Sequence, residues 1–432
     1  MLLIKSVINL LRLIFLFLLF ATLYPFLKNR SIYFFLNFSG PSFIKLGQTL
    51  STRPDLVGEN LAKILSNFQD NVKPFGAKTV KKILQRNFGD DFDKIFSEFD
   101  YQAKASASIA QVHKARLKSG ENVAIKILRP KIVQIMARDI ATLGLIIKIV
   151  AIFSKFLAGA FNDIRNVLKE TSKIELNLME EAQMAIRLKK NLQNVEGFYV
   201  PKIYTQHCSR QILVLEWLDG IAFSNKEKIL ATKFDKKVIA KNLVISYFSQ
   251  AYRDGFFHAD MHQGNLFLLE NGDIGVVDFG IMGEIDRKTR VAIAEILLGY
   301  LNKDYEKVAK IHINAGLVPR DVNLLELTIS CQKIGEKMVG NSVKEIPLTF
   351  ILGQLIEMTQ KYKMATRPEL LLLQKTILLV EGVGLILDEN LNIWELARPW
   401  VNDWAKKNIS LDAKIRDFMV DFVSAVKKFV QS

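Results

Sequence analysis

Apolar residues run unbroken from Leu13 to Leu27, and Ser6–Leu11 extends the run backwards past Arg12. Fifteen residues of helix reach roughly 22 Å, short of the roughly 30 Å hydrocarbon core of a bilayer. Adding Ser6–Leu11 brings spanning length and takes in Arg12, whose place near one end lets its guanidinium reach the interface. Further along, the pattern shortens. A small-residue stretch from Ala103 leads into a strand, Lys118-Ser-Gly-Glu turns, and Asn122–Leu128 runs back, a predicted hairpin. Asn162–Leu192 predicts one long helix with Glu175, Glu180 and Glu181 among apolar positions. Pro201–Tyr204 and Gln211–Gly220 read as two strands and a Gly-ended connection. A second hairpin is predicted from Leu266–Leu269 and Ile274–Val277, joined by Glu-Asn-Gly-Asp. The rest of the chain after Lys236 is helical in pattern, with Arg367-Pro368 and Arg398-Pro399 as expected breaks around a buried helix, Leu370–Ile386. Apolar residues from Ile415 to Val430 recur at three- and four-residue steps, an amphipathic helix that would dock on the protein or lie on a membrane.

The second hairpin carries the densest chemistry. It is preceded by His258-Ala-Asp260-Met-His262-Gln-Gly-Asn265 and followed by Asp278-Phe279-Gly280. Asp260 and Asn265 are five residues apart and Asn265 and Asp278 thirteen, the layout of a protein-kinase catalytic loop and its Asp-Phe-Gly metal motif. Mg²⁺ takes oxygen ligands, which the Asn265 amide and Asp278 carboxylate supply while phosphates provide others. Asp260 would face the attacking oxygen as base or orienter. Upstream, the loop Lys104-Ala105-Ser106-Ala107-Ser108-Ile109-Ala110-Gln111-Val112 stands where a kinase covers the phosphates, and Val123–Lys126 ends with the lysine that holds the α- and β-phosphates. Glycine is the usual residue in such a loop, because bare backbone lets amides approach; the alanines here would stiffen it. Lys126 needs a helix glutamate, for which Glu181 is the candidate. The adenine edge would meet backbone between Glu216 and Leu218.

Composition narrows the setting. A chain of 432 residues suggests two lobes plus extensions, and half its residues are apolar, so burial is not limiting. A net charge of +15 suits nucleic acid or an anionic membrane surface. Neither RNA-binding aromatic motifs nor zinc-finger spacing occur, which argues against nucleic acid. Cys208 and Cys331 have no paired spacing, which fits a reducing compartment and argues against a zinc site. The first acid is Asp55, and no convincing small-x-small cleavage site follows the apolar run, which favours an uncleaved anchor or in-plane helix over a secretory signal peptide.

Together these motifs resemble the UbiB-type family of atypical kinase-like proteins. The resemblance rests on Lys45-Leu-Gly47-Gln48 continuing to Arg53-Pro-Asp55, the Ala-rich loop, Glu175-Leu-Asn177 with Glu181-Ala182, the His258–Asn265 loop, and Arg367-Pro-Glu through Lys375 to Arg398-Pro399. It covers about residue 30 to 405 and implies an α+β, bilobal protein-kinase-like fold with an N-terminal helical extension and a membrane-associated first helix. The expected organisation is an anchor at 1–30, a Lys-x-Gly-Gln extension at 31–98, an N-lobe at 99–217, a C-lobe at 218–405 and an amphipathic helix at 406–432. The resemblance further implies that Lys45 pairs with Glu175, that Gln48 belongs to the same regulatory helix, and that ATP or ADP binds with Mg²⁺. It implies a role in ubiquinone biosynthesis on the cytoplasmic side of the inner membrane. The implied partners are anionic lipids and ubiquinone precursors or their enzymes. Asn177 in place of an acid, Lys104 in place of an apolar residue and Gln263 in place of proline depart from the family pattern. So does the amphipathic C-terminal segment, where bacterial relatives often carry two membrane helices. Other classes remain: a small-molecule kinase of the aminoglycoside or choline type, a non-catalytic nucleotide-switched lipid-binding scaffold, and a metallohydrolase using His258, Asp260 and His262.

Overall fold

The computed structural model describes residues 2–27, 29–51, 57–66, 73–340, 361–362 and 367–409. Arg53, Asp55 and the expected amphipathic helix beyond residue 409 lie outside them. The chain forms two compact units, one of residues 1–187 with 201–217 and one of 188–200 with 218–432.

The first unit opens with α1 (Leu2–Leu27), α2 (Asn29–Ser39), α3 (Pro41–Ser51) and α4 (Glu59–Ser66). Phe17 meets Phe35 and Phe20 stacks on Phe34, so α1 and α2 form an antiparallel pair. The run expected as an anchor is therefore not an isolated helix. One face packs inside the unit through Ser6, Asn9, Leu13 and Phe20, while Ile8, Leu11, Phe15, Leu18 and Phe26 are exposed.

After α5 (Ala77–Phe88), strands β1 (Phe96–Phe99), β2 (Ala105–Ser106), β3 (Ala110–Leu117), β4 (Asn122–Leu128) and β6 (Ile212–Glu216) form an antiparallel sheet. The sheet thus starts at Phe96, inside the expected extension, because the Phe96 side chain is needed in the core beneath α5. Strand alternation decides what β4 offers to each face. Val123, Ile125 and Ile127 pack under Val80, Ile83 and Leu84 of α5. Ala124 and Leu128 face the other way, into a cluster with Ile132, Met136, Leu178 and Ala182. Lys126 shares that second face by register.

Helices α6 (Ile132–Phe153) and α8 (Leu178–Leu192) cover this face, and α7 (Lys155–Glu175) packs against α6. The single long helix expected over 162–192 is broken at Leu176–Asn177. Asn177 accepts from the Glu180 amide at 2.9 Å, its own side chain donates to Glu180 Oε1, and the Leu178 amide turns to the Arg210 carbonyl. Asparagine bonds nearby backbone and side chains well enough to compete with helix continuation. Pro201–Tyr204 is not a strand but a single bridge from Ile203 to Leu215.

The second unit holds the sheet β5 (Phe198–Tyr199), β10 (Ile274–Val276), β9 (Leu266–Leu269) and β7 (Gly220–Ala222), in that order. A two-stranded ribbon of β8 (Phe256–His258) and β11 (Met282–Glu284) interrupts the expected all-helical pattern; three-residue strands are too short to show a period. Around them lie α9 (Lys236–Phe248), α10 (Arg287–Leu301), α11 (Tyr305–Asn314), α12 (Leu324–Gly340), α13 (Pro368–Leu387) and α14 (Ile393–Ile409). Pro368 starts α13, where its missing N–H costs nothing. Pro399, expected as a break, instead sits inside α14, which continues because Ala397, Val401 and Trp404 are buried on either side of it.

Candidate functional site

In the first unit, the β4 alternation aims Lys126 at α8. Its Nζ lies 2.7 and 2.9 Å from the two Glu181 carboxylate oxygens, with side chains 14% and 5% exposed. A second buried ion pair joins Lys45 of α3 to Glu175 at the end of α7, at 2.5 Å and 13% and 4% exposure. The break at Asn177 is what lets Glu175 and Glu181 serve two different lysines, since it ends one helix before the next begins. Gln48 is half-buried on α3, where its carbonyl accepts the Ser51 hydroxyl. A Cβ on Gly47 would stand 3.0 Å from Leu36 Cδ1, so that side chain would have to give by a few tenths of an ångström.

The Ala-rich loop is a pinned hairpin. Ala105 and Ser106 pair with Val112 and Gln111, and the Ala107 amide donates to the Ala110 carbonyl at 2.8 Å. Arg129, which the sequence did not flag, clamps it: its guanidinium donates to the Ala107 carbonyl at 2.8 and 3.0 Å and to Ser106 Oγ at 2.9 Å. The buried Gln111 side chain binds the Phe75 amide and carbonyl, and the side chains of Ile109, Ala110 and Val112 join the apolar cluster. Ser108 is also buried. What these residues offer a nucleotide is therefore backbone. Lys104 pairs with Asp100 at 2.6 Å on the surface. Glu216 ends β6 with Oε2 accepting from the Lys202 amide, and Leu218 begins the longer segment of the second unit.

In the second unit, Val276 pairs with Leu266 and the Val277 amide donates to the Asn265 carbonyl, so the hairpin sets Asn265 beside the Asp278 segment. Asn265 Nδ2 donates to the Asp260 carbonyl at 3.0 Å, which orients the amide and leaves Oδ1 for another partner. Asp278 has φ of 63°, a left-handed conformation that aspartate tolerates better than most residues. An amide oxygen and a carboxylate are hard donors suited to Mg²⁺ that shares its remaining positions with phosphates and water.

The histidines brace this loop. His258 is fully buried; its Nδ1 accepts the Asp260 amide at 3.1 Å, so Nε2 carries the proton and donates to the Asp278 carbonyl at 2.7 Å. Burial pushes its pKa down despite Asp260 and Asp278 nearby. Both ring nitrogens are used, which argues against a metallohydrolase site, and among the described residues no cluster of three metal-ligating side chains occurs. His262 Nδ1 accepts the Gly264 amide, leaving Nε2–H directed at Asp260 Oδ2 3.7 Å away. Lys375 of α13 donates to Asp260 Oδ1 at 2.8 Å. Burial works against ionisation of Asp260, but the neighbouring Lys375, ahead of His262, outweighs it and holds the carboxyl below its usual range.

Comparison with known proteins fits this geometry. The model of the ABC1 atypical kinase-like domain matches residues 67–312, and that of the UbiB helical domain matches residues 331–392. The "Probable protein kinase UbiB" of Aeromonas hydrophila is 37% identical over 377 residues, covering 86% of this chain and 69% of that protein. Proteins of the same name from Tolumonas auensis and Actinobacillus pleuropneumoniae are 37% and 36% identical, covering 70% and 71% of their length. Among solved structures, the Mycobacterium tuberculosis Rv3197–erythromycin complex aligns with a TM-score of 0.55 at 23% identity. The alignment covers 82% of this chain and 90% of that one, a likeness of fold.

Proposed function

Because the chain belongs to the UbiB family of atypical kinase-like proteins in ubiquinone biosynthesis, we propose that it binds ATP with Mg²⁺ and transfers the γ-phosphoryl group to water or another acceptor. The observation that carries this reading is the buried Lys126–Glu181 pair, the arrangement that readies a strand lysine for the α- and β-phosphates. Asn265 and Asp278 would hold Mg²⁺, which when bound offsets phosphate charge. Asp260 Oδ2 would take the proton of the attacking oxygen as a new P–O bond forms and the bond to ADP breaks. The pinned Ala-rich loop argues for slow transfer, with hydrolysis ahead of protein phosphorylation. The test is titration of a fluorescent ATP analogue against Mg²⁺: Asp278→Asn should weaken Mg-nucleotide binding strongly, and unchanged Mg²⁺ dependence would overturn the assignment.

We further infer membrane attachment through α1 lying in the interface rather than crossing. Two helices among the described residues, Ile4–Phe26 and Pro368–Leu387, are long and apolar enough to span. The second carries Lys375 on Asp260 and buries Leu373, Ile377 and Val380, which suits a core helix. In the first, Asn9 donates to buried Asp139 at 3.0 Å and to Thr142 at 3.1 Å. Drawing this face into hydrocarbon would take the Arg138–Asp139 pair with it, a high cost, whereas an in-plane helix buries only its exposed apolar face. Anionic lipids suit the flanking Lys5 and Arg30, and long-tailed ubiquinone precursors would be met in the same plane.

A further inference from the structure

We propose that Lys375 is a positioning residue for Asp260: the cation that fixes the proposed base comes from α13 rather than from the catalytic loop. This rests on the phosphoryl-transfer reading above and names a residue that reading does not require.

The polar atoms of Asp260 are all assigned within the second unit. Its amide goes to His258 Nδ1, its carbonyl accepts Asn265 Nδ2, Oδ2 faces His262 Nε2 at 3.7 Å, and Oδ1 accepts Lys375 Nζ at 2.8 Å. The backbone contacts fix the residue but leave the carboxylate free to turn; the Lys375 contact is the short one that sets its rotation. Lys375 is itself held from both sides. Leu373 is buried and its carbonyl accepts the hydroxyl of Tyr247, a fully buried residue of α9, at 3.2 Å. Thr376 is fully buried and bonds the Leu372 carbonyl at 2.7 Å. Lys375, 27% exposed, therefore projects from a segment with little freedom onto a carboxylate that is 23% exposed.

Such a cation has a definite use. A transferring phosphoryl group brings negative charge beside the ionised base, and a preorganised positive charge offsets that repulsion at the transition state. The acceptor's proton goes to Asp260 Oδ2, the carboxylate oxygen that Lys375 does not hold. A merely structural pair would hold α13 to the loop without altering turnover.

The experiment measures Mg-ATP hydrolysis, fluorescent-nucleotide affinity and thermal midpoint for the full chain carrying Lys375→Met, Lys375→Arg, Asp260→Asn, and the Asp260→Asn/Lys375→Met pair. Loss of positioning should lower kcat about tenfold or more in Lys375→Met, with nucleotide affinity within about twofold of wild type. Lys375→Arg should recover most of kcat. In the Asp260→Asn background, adding Lys375→Met should change kcat less than about twofold, since two residues acting as one unit are not additive. If Lys375→Met does not fold, Lys375→Gln is read in its place. A Lys375→Met or Lys375→Gln protein with wild-type kcat, or a fully additive pair, overturns the proposal while leaving the phosphoryl-transfer reading standing. A wild-type protein that binds nucleotide yet turns nothing over overturns both.

Discussion

The Lys45–Glu175 pair offers a direct test of what holds α3 in place within the first unit. Lys45 stands on α3, whose Phe43, Ile44, Leu46 and Leu50 pack into one apolar cluster with Leu143 of α6 and Leu168 of α7. With the two side chains only 13% and 4% exposed, neither charge is well solvated once its partner is gone. Removing one partner from a buried pair costs about 3–5 kcal/mol, whereas replacing both by apolar residues of similar volume is near neutral or stabilising. Lys45→Met keeps the stem and deletes the charge, so α3 should loosen by about that amount. At 1.36 kcal/mol per decade, local opening becomes more frequent by about two to nearly four decades. Hydrogen exchange followed by mass spectrometry on peptides covering 41–51 and 155–175 reads this directly. Lys45→Met/Glu175→Leu should return exchange towards wild type. If Lys45→Met exchanges within about threefold of wild type, the buried-pair argument is wrong and the apolar contacts alone hold the helix.

Three further outcomes are expected. Ala107→Gly gives the pinned loop backbone freedom beside the Arg129 clamp and should raise autophosphorylation in a radiolabel assay; unaltered transfer would show that the loop is not the brake. Phe15→Glu/Leu18→Glu charges the exposed face of α1, where these side chains are 66% and 59% exposed, and should reduce sedimentation with anionic vesicles at unchanged thermal midpoint; undiminished sedimentation would place attachment elsewhere. Burial lowers the pKa of His312, whose Nδ1 lies 2.8 Å from the Val308 carbonyl. The unfolded chain therefore binds a proton near pH 6.5 that the folded one refuses, so this stability is full above 6.5 and falls as pH drops towards the folded pKa. His312→Asn should flatten the decline in thermal midpoint between pH 7.5 and 5.5, and a parallel decline in both proteins would remove His312 as its cause.

The kinase-like fold was legible because its cues are local. The Asn-Gly turn between β9 and β10 fixed the hairpin that sets Asn265 beside Asp278, and the two-residue period of β4 fixed which face Lys126 would serve. Lys375 had no comparable signal: it meets Asp260 across 115 residues, and nothing in the spacing of α13 distinguishes a lysine aimed at a carboxylate from one aimed at solvent. Arg129 is nearer to legible, since it directly follows the strand that carries Lys126, but only the folded loop shows the carbonyl it holds. Helix ends failed for two different reasons: local bonding by Asn177 breaks the expected long helix, and burial on both sides carries α14 through Pro399.

The N-terminal run is the most instructive case, because its length left spanning and in-plane placement both open while its polar positions held a further signal. Ser6, Asn9, Leu13 and Phe20 fall three, four and seven residues apart, on one stripe of a helix. In an apolar run read for length alone, two polar residues on one stripe look like tolerated exceptions. A polar side chain facing lipid must find a partner or bear its desolvation, so polar residues on the stripe that also buries Leu13 mark the side that faces protein. Asp139 and Thr142 of α6 are those partners. The opposite face, with Ile8, Leu11, Phe15 and Leu18, is then the exposed one, and on the proposal of membrane attachment made above it is the face that would meet the bilayer.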